Sequence, residues 1–227
     1  MEQASGGKYR KNWDPSEHYK DIAVAEAYDK ARFSSVAGRV FDRLEKNALG
    51  KALSALPNDS LILDAPTGTG RLAEKMLQMG HRVVGADISP QMLHVAERKL
   101  APFGDRYTTI HSDVHDLHGD ALHVDAVVCA RVLMHFPLSE QIDFLSAVAK
   151  LTDGPVIFNQ SVVTGYHRAR RALKKMLRNQ APAAFPLSSD EVNQLIDGAG
   201  LVEEQRYSVM PAVSEAVFFV CRKRHQA

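Results

Sequence analysis

Cysteine is scarce in this chain. It has two in 227 residues, Cys129 and Cys221, both inside apolar stretches. A disulfide-stapled scaffold is excluded, and each thiol is expected to be free and buried. Also missing is any apolar run of the roughly 18 residues that a membrane-spanning helix needs. The opening MEQASGGKYRKNWDPSEHYK has no apolar stretch of the kind a secretory signal carries, so a cytoplasmic location is expected. No sign of charge dominates: 28 Lys and Arg against 27 Asp and Glu leave a formal net charge of +1. Nothing global then attracts nucleic acid or anionic lipid, and any such partner must be met by a local patch. The G-x-S-x-G and H-E-x-x-H motifs are absent, as are internal repeats and low-complexity segments. His111, His115 and His118 have ligand-like steps of four and three, but no cysteine accompanies them. A solvated loop is expected there, and no metal. What remains is ordinary globular composition, 45% apolar and 24% charged, sized for one domain.

Two hydrophobic periods alternate along the chain. After a polar tail, Val36, Val40, Phe41, Leu44, Ala48, Ala52 and Leu56 fall mostly at steps of three and four, predicting an amphipathic helix from 34 to 56. Leu61-Ile62-Leu63 suits a strand buried on both faces. A helix through Leu72, Met76 and Met79 ends near Gly80. Residues 82–86 read as a second strand, and Ser89-Pro90 opens a helix through Leu100. Strands are expected at 107–111, 124–130 and 155–158, with a helix from Ser139 to Leu151 before the last of these. A helix from 187 to 199 precedes two final strands, 201–209 and 216–222, with no helix between them, so they should pair antiparallel. The expected fold is α/β: a Rossmann-like, doubly wound, mostly parallel seven-stranded sheet with an antiparallel last strand and helices on both faces. Residues 1–57 would form an N-terminal tail with capping helices, and 58–227 the main domain.

In such sheets ligands bind at the carboxyl ends of the strands. The first strand is followed by Asp64-Ala65-Pro66-Thr67-Gly68-Thr69-Gly70-Arg71. Gly68, Gly70 and Ala73 match the weak G-x-G-x-x-[G/A] fingerprint. The turn is either a tight strand-to-helix connection or a cradle for a ligand at a helix N-terminus. The second strand ends in Gly85-Ala86-Asp87, whose carboxylate can take two bonds from ribose hydroxyls. The third ends in Ser112-Asp113-Val114, where Asp113 can accept from an exocyclic amine such as adenine's. Each aspartate alone can equally be a helix cap or turn residue; three at successive strand ends favour a nucleoside.

The segments LILDAPTGTGRLAEKM, HRVVGADISPQMLHVAERK, TIHSDVHDL and VDAVVCARVLMHFP resemble the class I S-adenosylmethionine-dependent methyltransferases, in the broad group of ubiquinone/menaquinone-biosynthesis enzymes. The resemblance runs from Leu61 to Pro137, about a third of the chain. It implies S-adenosyl-L-methionine as cofactor and a small-molecule acceptor. Asp64, Ala65, Thr67, Gly68, Gly70 and Arg71 would hold its methionine part. Asp87 would bind the ribose, with Ile88 and Met92 against the adenine, and Ser112, Asp113 and Val114 would meet its edge. Ala130 and Arg131 would pass close to the sulfonium. Pro66 stands where the family has its first glycine and removes one N–H. A nicotinamide-dependent oxidoreductase sharing the turn is the rival, though no Y-x-x-x-K pair is evident, and a non-catalytic cofactor-binding module is a third reading.

The acceptor must be met by segments outside this core. His135 is either a base or positioning group, or a histidine packed at a strand end. Near the N-terminus, Tyr19, Tyr28, Arg32 and Phe33 lie in a segment that commonly lids the site in the resembling family. Tyr28 and Arg32 can meet the cofactor carboxylate, or Arg32 can pair with Asp29. Asn159 lies at the ligand edge of the fifth strand. Beyond it a basic helical insertion is expected near 165–187. Between Tyr166 and Arg178, six of thirteen residues are Lys or Arg and none is acidic. Its basic face is solvated, or selects an anionic acceptor through Arg168 or Arg171, or touches RNA or a membrane surface.

Overall fold

The computed structural model describes residues 29, 32–163, 185–210 and 215–224. Tyr19, Tyr28, Tyr166, Arg168 and Arg171 lie outside them, as does most of the basic insertion. Seven strands form one sheet: β1 (Leu61–Asp64), β2 (Arg82–Asp87), β3 (Tyr107–His111), β4 (Ala126–Cys129), β5 (Val156–Ser161), β6 (Leu201–Ser208) and β7 (Ala216–Lys223). Their order is β3-β2-β1-β4-β5-β7-β6. Every pairing from β3 through β5 is parallel. Only β7 is reversed, antiparallel to both β5 and β6. Helices α1 (Val36–Leu53), α2 (Arg71–Gln78), α3 (Pro90–Leu100), α4 (Leu138–Ala149) and α5 (Ser189–Gly198) flank the sheet.

Consecutive apolar residues in the strands point to opposite faces, and both faces are buried. Ile62, Val128, Ile157 and Phe218 join one core with Leu49 and Leu53 of α1 and Met76 of α2. Their neighbours Leu63, Val127, Phe158 and Phe219 join the other, under Leu145 of α4 and Leu195 of α5. The helix starts follow their sequence signals. Ser89 Oγ accepts the Met92 N–H at 3.2 Å, and Ser188 and Glu191 form a reciprocal capping box at α5.

Two expectations are corrected. Helix α1 is rotated relative to the predicted stripe: Val36 and Val40 are 69% and 48% exposed, while Glu45, Ala48, Leu49, Ala52 and Leu53 are buried. The turned-in face carries Leu49 and Leu53, which join the core, and a carboxylate that finds two arginine partners, described below. Strand β5 runs on to Ser161 instead of ending at Phe158, because β7 pairs with it over its whole length, Asn159 opposite Phe218 and Gln160 opposite Val217. The Asn159 and Gln160 side chains are buried and hydrogen-bonded.

The turn between β1 and α2 depends on glycine. Gly68 and Gly70 have φ of +55° and +70°. A Cβ on Gly68 would meet open space; on Gly70 it would lie 2.7 Å from Leu100 Cδ1 and 3.1 Å from Ala96 Cβ of α3. Left-handed backbone costs a non-glycine residue about 1–2 kcal/mol, and overpacking adds about 1–3 kcal/mol. Urea unfolding of Gly70→Ala should therefore show a loss of about 2–5 kcal/mol, and Gly68→Ala only the backbone part. Equal losses in the two variants would contradict this account of the turn.

Candidate functional site

The strand order reverses direction between β1 and β4, and the loops after β1, β2, β3 and β4 meet there. They enclose a cavity of about 390 Å³. Its floor is the β1 loop. Ala65 N–H donates to Val128 O at 3.0 Å, and Thr67 N–H to Ala86 O at 2.8 Å, locking the loop across β4 and β2. The Ala65–Pro66 peptide is cis. Gly68 faces the cavity. Gly70 does not border it and serves as the close contact with α3.

Two buried aspartates define the floor's charge. Asp64 Oδ2 accepts from Thr67 Oγ1 at 2.9 Å. Burial, with Asp87 nearby, pushes its carboxyl up to about 7. Asp87 accepts the Gly68 N–H on Oδ2 at 2.8 Å and the Ser89 N–H on Oδ1 at 2.9 Å. These bonds orient the carboxylate and leave a second lone pair on each oxygen. Burial raises its pKa as well.

Ile88 and Met92 border the cavity beside Asp87. Ser112, Asp113 and Val114 form the adjoining wall, with the Ser112 N–H donating to Asp87 O at 3.2 Å. Here the turn-residue reading of Asp113 is what its carboxylate does. Its Oδ1 takes the His115 backbone N–H at 2.9 Å and lies 2.7 Å from His115 Nδ1. His115 Nε2 lies 3.3 Å from Asp143 Oδ2 of α4. The Asp113 bond is the main reason that its imidazole pKa is raised. Among the described residues, no group of three or more His, Cys, Asp or Glu could hold a metal ion.

Opposite lies an ionic cluster that sequence reading missed. Glu45 of α1 has no exposed surface. Its Oε2 binds Arg71, and its Oε1 receives Arg131 Nη1 at 3.1 Å and Asn159 Nδ2 at 3.3 Å. Arg71 also pairs with Asp42 at 2.5 Å and sits over the Phe33 ring at 4.5 Å. Asn159 Oδ1 accepts the Arg131 N–H at 2.7 Å, and Arg131 holds a φ of +64°. The expected acceptor role of Asn159 is thereby corrected: it is 1% exposed and spends its amide on Glu45 and Arg131. Phe33 supports Arg71. Asp29, the expected partner of Arg32, accepts from Thr69 Oγ1 at 2.9 Å and from Lys99 Nζ at 3.2 Å. The signal for Glu45 was present in the sequence: Phe41, Glu45, Leu49 and Ala52 share one helical face, a charge at a core position.

Ala130, Arg131 and His135 border the cavity on the β4 side. Phe136 and Phe144 close it, their rings stacked 5.9 Å apart. Burial, together with the charges of Arg32 and Arg131, pushes the His135 imidazole down to about 4, so it is neutral at physiological pH. The segment leaving β5 and the one entering α5 are fastened to this edge. Val163 N–H donates to Leu187 O at 2.8 Å, and Phe185 N–H to Met134 O at 2.7 Å. Phe185 therefore lies beside Met134, the chain neighbour of His135.

A methyltransferase-domain model matches residues 62–153. The chain is 33% identical over 102 residues to magnesium-protoporphyrin O-methyltransferase of a Synechocystis species, covering 44% of this chain and 43% of that one. It is 27% identical over 190 residues to the Rhodobacter capsulatus enzyme of that name, covering 78% and 83%. With demethylmenaquinone methyltransferase of Clavibacter sepedonicus it shares 36% over 104 residues, 46% of this chain and 41% of that one. The match thus spans less than half of two of these relatives and most of the third. In fold, it superposes on the crystal structure of Synechocystis magnesium protoporphyrin IX methyltransferase with bound S-adenosylhomocysteine at a TM-score of 0.71. Identity there is 18%, covering 92% of this chain and 98% of the other. The nicotinamide reading finds no support among these relatives.

A depressed histidine pKa has a defined consequence for stability. Protonating His135 opposes the fold, so its contribution is present above the ordinary histidine value of about 6.5 and is lost as pH falls through about 4. A histidine-resolved NMR titration should find His135 still neutral at pH 5. A midpoint near the ordinary value would contradict the burial argument.

Proposed function

On the premise that this chain carries an S-adenosylmethionine-dependent methyltransferase domain, we propose that it transfers a methyl group to a small anionic acceptor at the His135 edge of the cavity. The observation that carries the cofactor assignment is Asp87, buried at the end of β2 with both oxygens oriented by backbone N–H groups. The residues present fit the group. Gly68 keeps the floor open, and Asp64 is a buried carboxyl, readily ionised beside a cation.

When bound, S-adenosylmethionine supplies a methyl group on a positively charged sulfur. The chain's part is to bind, orient and exclude water. In this reading Asp64, Ala65, Thr67 and Gly68 hold the methionine part, and Asp87 the ribose. Ile88, Met92 and Val114 would hold the base, with Ser112 and Asp113 toward its edge, and Ala130 and Arg131 would lie nearest the sulfur. Arg71 contributes through the cluster it forms with Glu45. Tyr28 and Arg32 remain assigned to the cofactor carboxylate, and Tyr19 to the acceptor.

The neutral state of His135 supports an anionic acceptor. An imidazole with a pKa near 4 is too weak a base to take a proton from an alcohol or phenol, because general-base catalysis is best near the working pH. His135 then orients the acceptor, and an acceptor that arrives already ionised needs no base there. The charges of Arg32 and Arg131 favour that form. The basic composition of the stretch containing Arg168 and Arg171, which follows β5 in the sequence, supports the same reading. An acceptor carboxylate or similar oxygen anion is also compatible with relatives that are named O-methyltransferases.

A screen with labelled donor tests this. Carboxylate- or phosphate-bearing acceptors should be methylated and their neutral esters should not; the reverse preference would overturn the proposal. In parallel, Asp87→Ala should raise the Kd for S-adenosylhomocysteine about tenfold or more, since a charge-assisted bond contributes about 1.5–3 kcal/mol. An unchanged Kd would remove Asp87 from the site.

A further inference from the structure

We propose that Glu45 sets the charge of the site so that it accepts a sulfonium donor in preference to the uncharged thioether product. This inference rests on the methyl-donor reading above. Donor and product differ by one methyl group and one positive charge. Two guanidiniums, Arg71 and Arg131, border the cavity. Unbalanced, they would repel the donor and leave the product nearly unaffected, since Coulomb repulsion requires charge on both partners.

Glu45 bonds both guanidiniums with its two oxygens and is shielded from water. Screening by salt and solvent is weak for such a group. It does not itself border the cavity, so it acts through the two arginines as a positioning residue. The other charges near the cluster are placed differently. Asp42 is partly exposed and is shared between Arg71 and Lys46. Lys46 is in turn held by Glu74. Asp64 is only partly ionised at neutral pH while the site is without a cation. Arg32 adds a further positive charge toward His135. Glu45 is therefore the carboxylate that neutralises the wall where positive charge is densest. It also orients Asn159, which holds the Arg131 backbone in its left-handed conformation.

Calorimetry with S-adenosylmethionine and with S-adenosylhomocysteine at pH 8 and low salt tests the assignment in three proteins. In wild type both ligands bind. In Glu45→Gln, which keeps the shape and a hydrogen-bonding oxygen, the ratio of donor Kd to product Kd should rise about tenfold. In Arg131→Gln, which removes a cation, the ratio should fall. A general loosening of the site would weaken both ligands alike and cannot produce opposite signs. Equal changes for donor and product in both variants overturn the inference while leaving the methyl-donor reading intact. If Glu45→Gln fails to fold by circular dichroism, Arg131→Gln decides alone, and an unmoved ratio overturns it. Failure of wild type to bind either ligand sinks the functional reading and this inference with it.

Discussion

One buried carboxylate ties the site together. Glu45 lies on α1, and its partners come from α2, from the loop after β4 and from β5. An ionised group without water must be paired, and removing one partner of a buried pair typically costs about 3–5 kcal/mol. That requirement explains several features at once. It places Glu45 on the face of α1 that also buries Leu49 and Leu53, while Val36 and Val40 are exposed. It buries Arg71 at the first turn of α2, directly after the glycine turn. It also orients Asn159, whose other amide atom holds Arg131 in a conformation that few non-glycine residues adopt.

The sheet then decides where chemistry is possible. With β1 and β4 adjacent and the chain winding outward in both directions, the loops at their carboxyl ends must diverge and leave a crevice. Asp64 and Asp87 stand at the ends of neighbouring strands in that crevice, each held by the glycine loop. The pocket is thus acidic on its floor and cationic on one wall. A ligand carrying both a cation and polar hydroxyls matches the floor.

Much of this was legible in the sequence, for identifiable reasons. Strands buried on both faces appear as short apolar runs, and Ser89-Pro90 and Ser188 mark helix starts by local hydrogen bonding alone. Asp64, Gly68 and Asp87 were legible because strand ends in a parallel sheet converge. What escaped depends on contacts distant in sequence. Glu45 and Asn159 are 114 residues apart, and nothing local in either segment announces the bond between them. The end of β5 was hidden because its stabilising partner, β7, comes some 55 residues later and its side chains are polar. The face of α1 was misjudged because apolar periodicity does not register the ionic partners of Glu45, which come from elsewhere in the chain.

The most direct test of the central claim is a crystal structure with S-adenosylhomocysteine bound. The account predicts ribose hydroxyls on the Asp87 carboxylate, the base between Ile88 and Val114, and the sulfur facing Ala130 and Arg131, with the Glu45 cluster undisturbed. A ligand bound elsewhere, or bound here with its ribose away from Asp87, would contradict it.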